Sequence, residues 1–237
     1  MSPGALTSGG TLVVVSGPSG SGKTSIVEEL IRQRETLRDK VTKVISGHPH
    51  PDQIMAKPGD IRRAITATTR TPRPEEVDGR DYHFMTRAAF ETGIADGAFI
   101  EFTEFNGNLY GTPRRKLEEN LARGGVVLLV IDVDGAESLR FFFPDAIFVF
   151  VLPPTPEILR ERLIGRGTNT EADVEGRLEI ARREVARITE YDFLIVNAEL
   201  RMAVLDLAAV IRVVRRSRVT TDAQANWEAG LLADWPG

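Results

Sequence analysis

The chain contains no cysteine. Disulfides, thiolate metal sites and a cysteine nucleophile are thereby excluded. It has three histidines, which argues against a histidine-rich metal centre. No apolar run approaches the ~20 residues needed to cross a bilayer. The opening MSPGALTSGG lacks the basic start and apolar core of a secretory leader. A cytoplasmic location without membrane attachment is therefore expected. Neither sign of charge dominates: 30 Lys and Arg stand against 34 Asp and Glu, a net charge of −4. Without a basic field, nucleic acid is not expected as a partner, although a local anion site remains open. Core material is not scarce. Hydrophobic residues make up 42% of the 237, which excludes a mostly disordered chain and suits one large domain or one with an inserted lobe.

The apolar run TLVVVS predicts a buried strand over Leu12–Ser16, after a disordered lead over residues 1–10. GPSGSGKT follows, and then SIVEELIRQRE, in which Ile26, Val27, Leu30 and Ile31 share a helical face. Residues 36–62 hold three prolines and two glycines and read as an insertion, with one short strand at Val41–Ile45. His48, His50 and Asp52 within it could suggest a metal site, but a proline-stiffened polar loop is the favoured reading. From Ala64 the texture changes. AITATTR, DYHFM and FIEFTEF read as short strands. Phe90 and Ile94 mark a short helix, and Pro113 and Gly124 bracket another. GVVLLVID, AIFVFVL and FLIVN read as further core strands, with Thr155 capping a helix between them. Val174, Leu178, Ala181, Val185 and Ile188 recur at helical spacing. The expected fold is α/β: a P-loop NTPase-type, mainly parallel sheet core, an inserted small α+β lobe and a helical lid. The expected core covers 11–35 and 124–218, the lobe 63–123, the lid about 160–180 and a tail 219–237.

Gly17 to Thr24 fits G-x-x-x-x-G-K-[ST]. A strand delivers the loop, glycines let its N–H groups converge on phosphate oxygens, and the helix N-terminus adds partial positive charge. Gly17, Pro18, Ser19, Gly20, Ser21, Gly22 and Ser25 are then triphosphate-cradle residues. Lys23 would reach the β- and γ-phosphates of ATP, and the Thr24 hydroxyl would ligate Mg²⁺.

A second constellation follows in TATTRTPRPEEVDGRDY and FIEFTEFNGNLYGT. Arg70 and Arg73 near Tyr82 and Tyr110 have the makings of an anion clamp. Glu101 lies in an otherwise apolar stretch. It could accept both N1–H and N2–H₂ of guanine, a donor pair that adenine lacks; the alternative is a charge guarding an edge strand.

Together these segments closely resemble guanylate kinase. The match runs from about Leu12 to Arg216 without residues 36–62, and TTRTPR-x-x-E-V-x-G-x-D-Y is its most specific piece. The resemblance implies that Arg70, Arg73, Tyr82 and Tyr110 hold the GMP phosphate, with Glu76 in the same GMP-binding set. It implies that Thr66, Glu101 and Thr112 read the guanine. Arg162, Arg166 and Arg177, in RERLIGRGTNTEADVEGR, would close on the ATP phosphates, and Asn197 would stand at the adenine side. Lys23, Arg70 and the three lid arginines form the implied catalytic set. One departure is plain. The family's Asp-x-Asp-x-Gln-Gly reads V-I-D-V-D-G here. The ungapped alignment is preferred; it keeps Asp132 as a GMP or magnesium-water contact and puts Asp134 at the glutamine. The implied partners are ATP with Mg²⁺, and GMP or dGMP. Two other functions stay open: a catalytically inactive interaction module, and a same-fold kinase for another phosphorylated acceptor. No interface signature fixes an oligomeric state.

Overall fold

In the computed structural model, which describes residues 9–33, 61–165 and 171–217 (side chains through 214), two sheets divide the chain. The first is five-stranded, in the order β2-β7-β1-β8-β9. Its strands are β1 (Gly10–Ser16), β2 (Ile61–Arg63), β7 (Gly125–Val130), β8 (Ile147–Leu152) and β9 (Phe193–Val196). Every pairing within it is parallel.

The valine-rich sequence of β1 explains its central place. Successive side chains point to opposite faces, and both faces are covered. Val13 and Val15 pack with Ile26, Val27 and Leu30 of α1 (23–33) and with Val204, Leu207 and Ile211 of the helix that follows β9. Leu12 and Val14 pack on the other face with Leu117, Leu121 and Leu139. A strand buried on both sides needs a continuous apolar run, and this one has it.

The second sheet is four-stranded, in the order β4-β3-β6-β5. It joins β3 (Ala67–Thr68), β4 (His83–Phe84), β5 (Phe99–Phe105) and β6 (Asn108–Pro113). The helix α2 (Arg87–Ala95) is capped by Thr86 and buries Phe90 against Phe99 in a stacked pair. The helix α3 (Arg114–Ala122) then returns the chain to the first sheet. Beyond β7 lie α4 (Val133–Phe142), α5 (Pro156–Ile164), α6 (Glu171–Val185) and α7 (Leu200–Ser217). Leu159 and Leu163 of α5 meet Val174 and Ala181 of α6 in a separate small core. No helix of the described residues is long and apolar enough to cross a membrane.

Several expectations are adjusted. β1 begins at Gly10, two residues earlier than expected. Ile61 and Arg62, assigned to the insertion, are strand residues paired with Val126 and Val127. AITATTR yields a strand of two residues only, because the chain crosses there from one sheet to the other. β6 went unread. β9 is an edge strand, so Leu194 and Val196 stay exposed while Ile195 is buried. The helical repeat ends at Val185, and Ile188 lies in a 3₁₀ turn. The expected strand at Val41–Ile45 and the His48, His50, Asp52 group lie outside the described residues.

Candidate active site

The phosphate loop joins β1 to α1. Gly17 and Gly22 adopt φ of +130° and +94°, a region that side chains strain to enter. Space is also closed to them. A Cβ on Gly17 would lie 2.3 Å from the Val151 carbonyl oxygen, and one on Gly22 2.2 Å from Asn197 Nδ2. Gly17, Ser19, Gly20, Gly22, Lys23, Thr24 and Ser25 line a cavity of about 330 Å³. Pro18 and Ser21 do not line it; the Ser21 N–H donates to the Pro18 carbonyl at 3.1 Å and closes the turn. Lys23 Nζ donates to the carbonyls of Gly17 at 2.6 Å and Pro18 at 2.9 Å. The ammonium is thus held at the loop's centre, beside the N-terminus of α1.

The facing wall comes from the second sheet. Thr66, Arg70, Arg73, Tyr82, Glu101 and Tyr110 line the same cavity. Arg70 Nη2 donates to both carboxylate oxygens of Glu76, at 2.7 and 2.9 Å, and the Arg73 N–H donates to the same group at 2.8 Å. Burial opposes ionisation of Glu76, but these donors outweigh it and hold its carboxyl below the usual range. Glu76, expected among the GMP-binding residues, is therefore the partner that orients the arginines. It does not line the cavity, and a carboxylate on a phosphate would be repulsive. The Arg70 guanidinium also lies 5.6 Å from the centre of the Tyr82 ring.

Glu101 is 5% exposed. Thr112, expected to read guanine directly, donates its hydroxyl to Glu101 Oε1; at 1% exposure it orients the carboxylate from behind the cavity wall. The other oxygen lies against Gly135, where a Cβ would sit 2.7 Å away. Burial pushes the Glu101 carboxyl up to about 7; the Thr112 bond opposes that and the nearby Asp132 charge adds to it. Asp132 lines the cavity and caps α4, accepting the Gly135 N–H at 2.7 Å. Its Oδ2 accepts the Thr103 hydroxyl at 2.6 Å, tying the second sheet to the first. Asp134 points elsewhere, 83% exposed and 3.4 Å from Arg187.

A family model for guanylate kinase matches residues 51–214. The chain belongs to the guanylate kinase family. The guanylate kinase of Thiobacillus denitrificans is 40% identical over 206 residues, 87% of each chain. That of Shewanella violacea is 36% identical over 233 residues, covering 97% of this chain and 100% of the relative. Among solved structures, guanylate kinase from Anaplasma phagocytophilum superposes with a TM-score of 0.63 at 27% identity, over 86% of this chain and 85% of the other. The chain is accordingly an enzyme of the guanylate kinase family, a nucleotide-binding P-loop transferase.

The lid-side residues of this guanylate kinase-family chain divide. Arg177 lines the cavity, and among the described residues its buried Nε has no hydrogen-bond partner. Arg162 does not line it. Its Nη2 donates to the Asn197 carbonyl at 2.9 Å, while its buried Nη1 has no partner among the described residues. Arg166 lies outside the described residues. Asn197, expected beside adenine, is 5% exposed. Its Nδ2 donates to the Ser21 carbonyl at 2.8 Å and braces the phosphate loop from behind. Asn197→Ala would leave that carbonyl unpaired, a cost of about 1–3 kcal/mol. The expected outcome is a Tm lowered by about 2–4 °C per kcal/mol and a raised KM for ATP, measured by thermal melting and steady-state kinetics. If both stay at wild-type values, the amide does not hold the loop.

Thr103, Phe105, Asn106, Asn108 and Glu184 also line the cavity, and sequence reasoning missed all five. Alternation from Glu101 along a strand would have found Thr103 and Phe105. Glu184 follows Arg177 by two helical turns on α6, which places both on one face. Burial pushes its carboxyl up to about 7; Lys23 opposes that shift, and Asp132 and Asp134 add to it.

Proposed function

We propose that the chain transfers the γ-phosphoryl group of ATP to GMP, giving ADP and GDP, in cytoplasmic purine nucleotide metabolism. The observation that carries this reading is one cavity lined by both the phosphate loop and the set Arg70, Arg73, Tyr82, Glu101 and Tyr110. Two anions must meet there, so charge neutralisation and alignment are the catalytic problem. Lys23 holds the β- and γ-phosphates. Arg70 and Arg73, aimed by Glu76, hold the GMP phosphate with Tyr82 and Tyr110. Glu101, set by Thr112, accepts the guanine N–H donors beside Thr66. Arg177, which lines the cavity, would offer its donors to the group in transfer, and Arg162 and Arg166 would close on the ATP phosphates as the family resemblance implies. The acceptor oxygen is already anionic, so no strong general base is needed. Recognition of base and 5′-phosphate leaves dGMP as a second acceptor.

The residues fit a hydrated Mg²⁺ carried by ATP. Thr24 and Asp132 offer oxygen donors to the cavity, and no cluster of three or more His, Asp or Glu among the described residues could enclose a metal. That pattern suits an ion bound mainly by phosphates and water. Bound with ATP, it would offset charge on the β- and γ-phosphates. Thr24 would contact it directly and Asp132 through water.

A coupled ADP-release assay across GMP, dGMP, AMP, CMP and UMP tests the reading. GMP and dGMP are expected to support turnover and the others to stay near background. Equal turnover with AMP, or none with any acceptor, would overturn it.

A further inference from the structure

Arg63 stands where the chain leaves the first sheet for the second, three residues before Thr66. Its backbone lies in β2, paired with Leu128 of β7. Its side chain is only 9% exposed and reaches two separate parts of the molecule. Nη1 donates to Glu28 Oε1 at 2.9 Å. Glu28 lies on α1, five residues after Lys23. Nη2 donates to the Asp81 carbonyl at 3.0 Å, immediately before Tyr82.

The loop that Arg63 grips is internally tied. The Val77 N–H and Arg80 Nε both donate to Asp81 Oδ2, at 2.8 and 2.9 Å, and the Gly79 N–H donates to the Tyr82 carbonyl at 2.7 Å. A hold on the Asp81 carbonyl is therefore a hold on the whole turn and on Tyr82. Burial raises the Tyr82 phenol pKa, and the Arg63 charge is the largest effect opposing that rise.

We propose that Arg63 is a positioning residue that fixes the acceptor-phosphate loop, and with it Tyr82, against the helix that carries Lys23 and Thr24. Burial alone does not call for an arginine here, because an aliphatic side chain on β2 would fill the space without a desolvated charge. The guanidinium fork does what neither an aliphatic chain nor an ammonium can: it bonds two acceptors on separate elements in one rigid geometry. Among the described residues, the Thr103–Asp132 bond ties the sheets on the guanine side. Arg63 supplies a tie on the phosphate side. In-line transfer depends on it, since a misplacement of ~1 Å can cost about 100-fold in rate.

The inference rests on the GMP kinase reading, and the two fail differently. The test compares wild type, Arg63→Met and Arg63→Lys in kcat, in KM for GMP and ATP, and in Tm. Arg63→Met is expected to raise the KM for GMP about tenfold and lower kcat about tenfold, with the KM for ATP within about twofold. Arg63→Lys keeps the charge near Tyr82 but not the fork. It is expected to recover most of the KM for GMP and little of kcat. A merely structural role would lower Tm without this split between substrates. Folded Arg63→Met with wild-type kcat and KM for GMP, or with equal rises in both KM values, overturns the inference. Should Arg63→Met not fold, Arg63→Lys decides alone: a wild-type kcat overturns it and a kcat lowered about fivefold supports it. A wild-type protein that does not turn over GMP defeats the functional reading itself.

Discussion

Lys23→Ala is expected to lower kcat by at least about 100-fold, a barrier increase of ~2.7 kcal/mol or more. The ammonium donates to the Gly17 and Pro18 carbonyls, at 2.6 and 2.9 Å. It therefore stands within the curl of the loop, where the phosphates of ATP would offer it stronger acceptors. Two losses follow from its removal, and kinetics separate them. Losing the clip on the loop carbonyls disorders the cradle and raises the KM for ATP. Losing positive charge where negative charge develops lowers kcat with little effect on KM. The second should dominate, because an ammonium against a phosphoryl group in transfer acts in a water-poor site at close range. Steady-state kinetics over a range of ATP concentrations, with a thermal melt to show that the variant is folded, make the measurement. Turnover near wild type in a folded variant would remove the kinase reading.

The phosphate loop was readable because one local pattern dictates it: a buried valine-rich strand, glycines at the two positions of positive φ named above, and an amphipathic helix. The residues proposed for the acceptor stand out in the sequence for a different reason. Their spacing resembles that of a known family, and Arg70, Arg73, Tyr82, Glu101 and Tyr110 reach one cavity. What the sequence could not show is which polar side chains meet only in the folded state. Asn197 and Ser21 are 176 residues apart in sequence, and their bond depends on β9 ending behind the loop. Glu76 and Thr112 lie within the recognised segments, but spacing alone does not separate a substrate contact from the group that orients one. β2 has three residues, two of them arginines, and is a strand only because β7 pairs with it. β6 does carry a local signal: Asn106 and Gly107, with φ of +48° and +70°, form the two-residue turn that Asn-Gly favours between strands.

Glu101→Gln is expected to lower kcat/KM for GMP roughly 5- to 150-fold, corresponding to about 1–3 kcal/mol for mispaired buried donors. The substitution keeps the shape that Gly135 and Thr112 accommodate, so the fold should persist. It turns one acceptor into a donor facing the guanine N–H groups. It also removes a buried charge beside Asp132, so the variant should melt no lower than wild type at pH 8. The pH dependence sharpens the test. Burial pushes the wild-type carboxyl up to about 7, while guanine requires the ionised form. GMP affinity should therefore be full above pH 7 and fall by up to about tenfold per unit as pH drops below it. Protein stability should run the other way. The folded pKa exceeds the ordinary value of 4.5, so the contribution of this group is complete below pH 4.5 and is lost as pH rises through about 7. Calorimetry at pH 6 in buffers of different ionisation enthalpy should detect more proton release when GMP binds wild type than when it binds Glu101→Gln, because the GMP phosphate, whose second pKa is about 6, releases protons in both. If the variant discriminates GMP from AMP as well as wild type does and releases as many protons as wild type, Glu101 does not read the base.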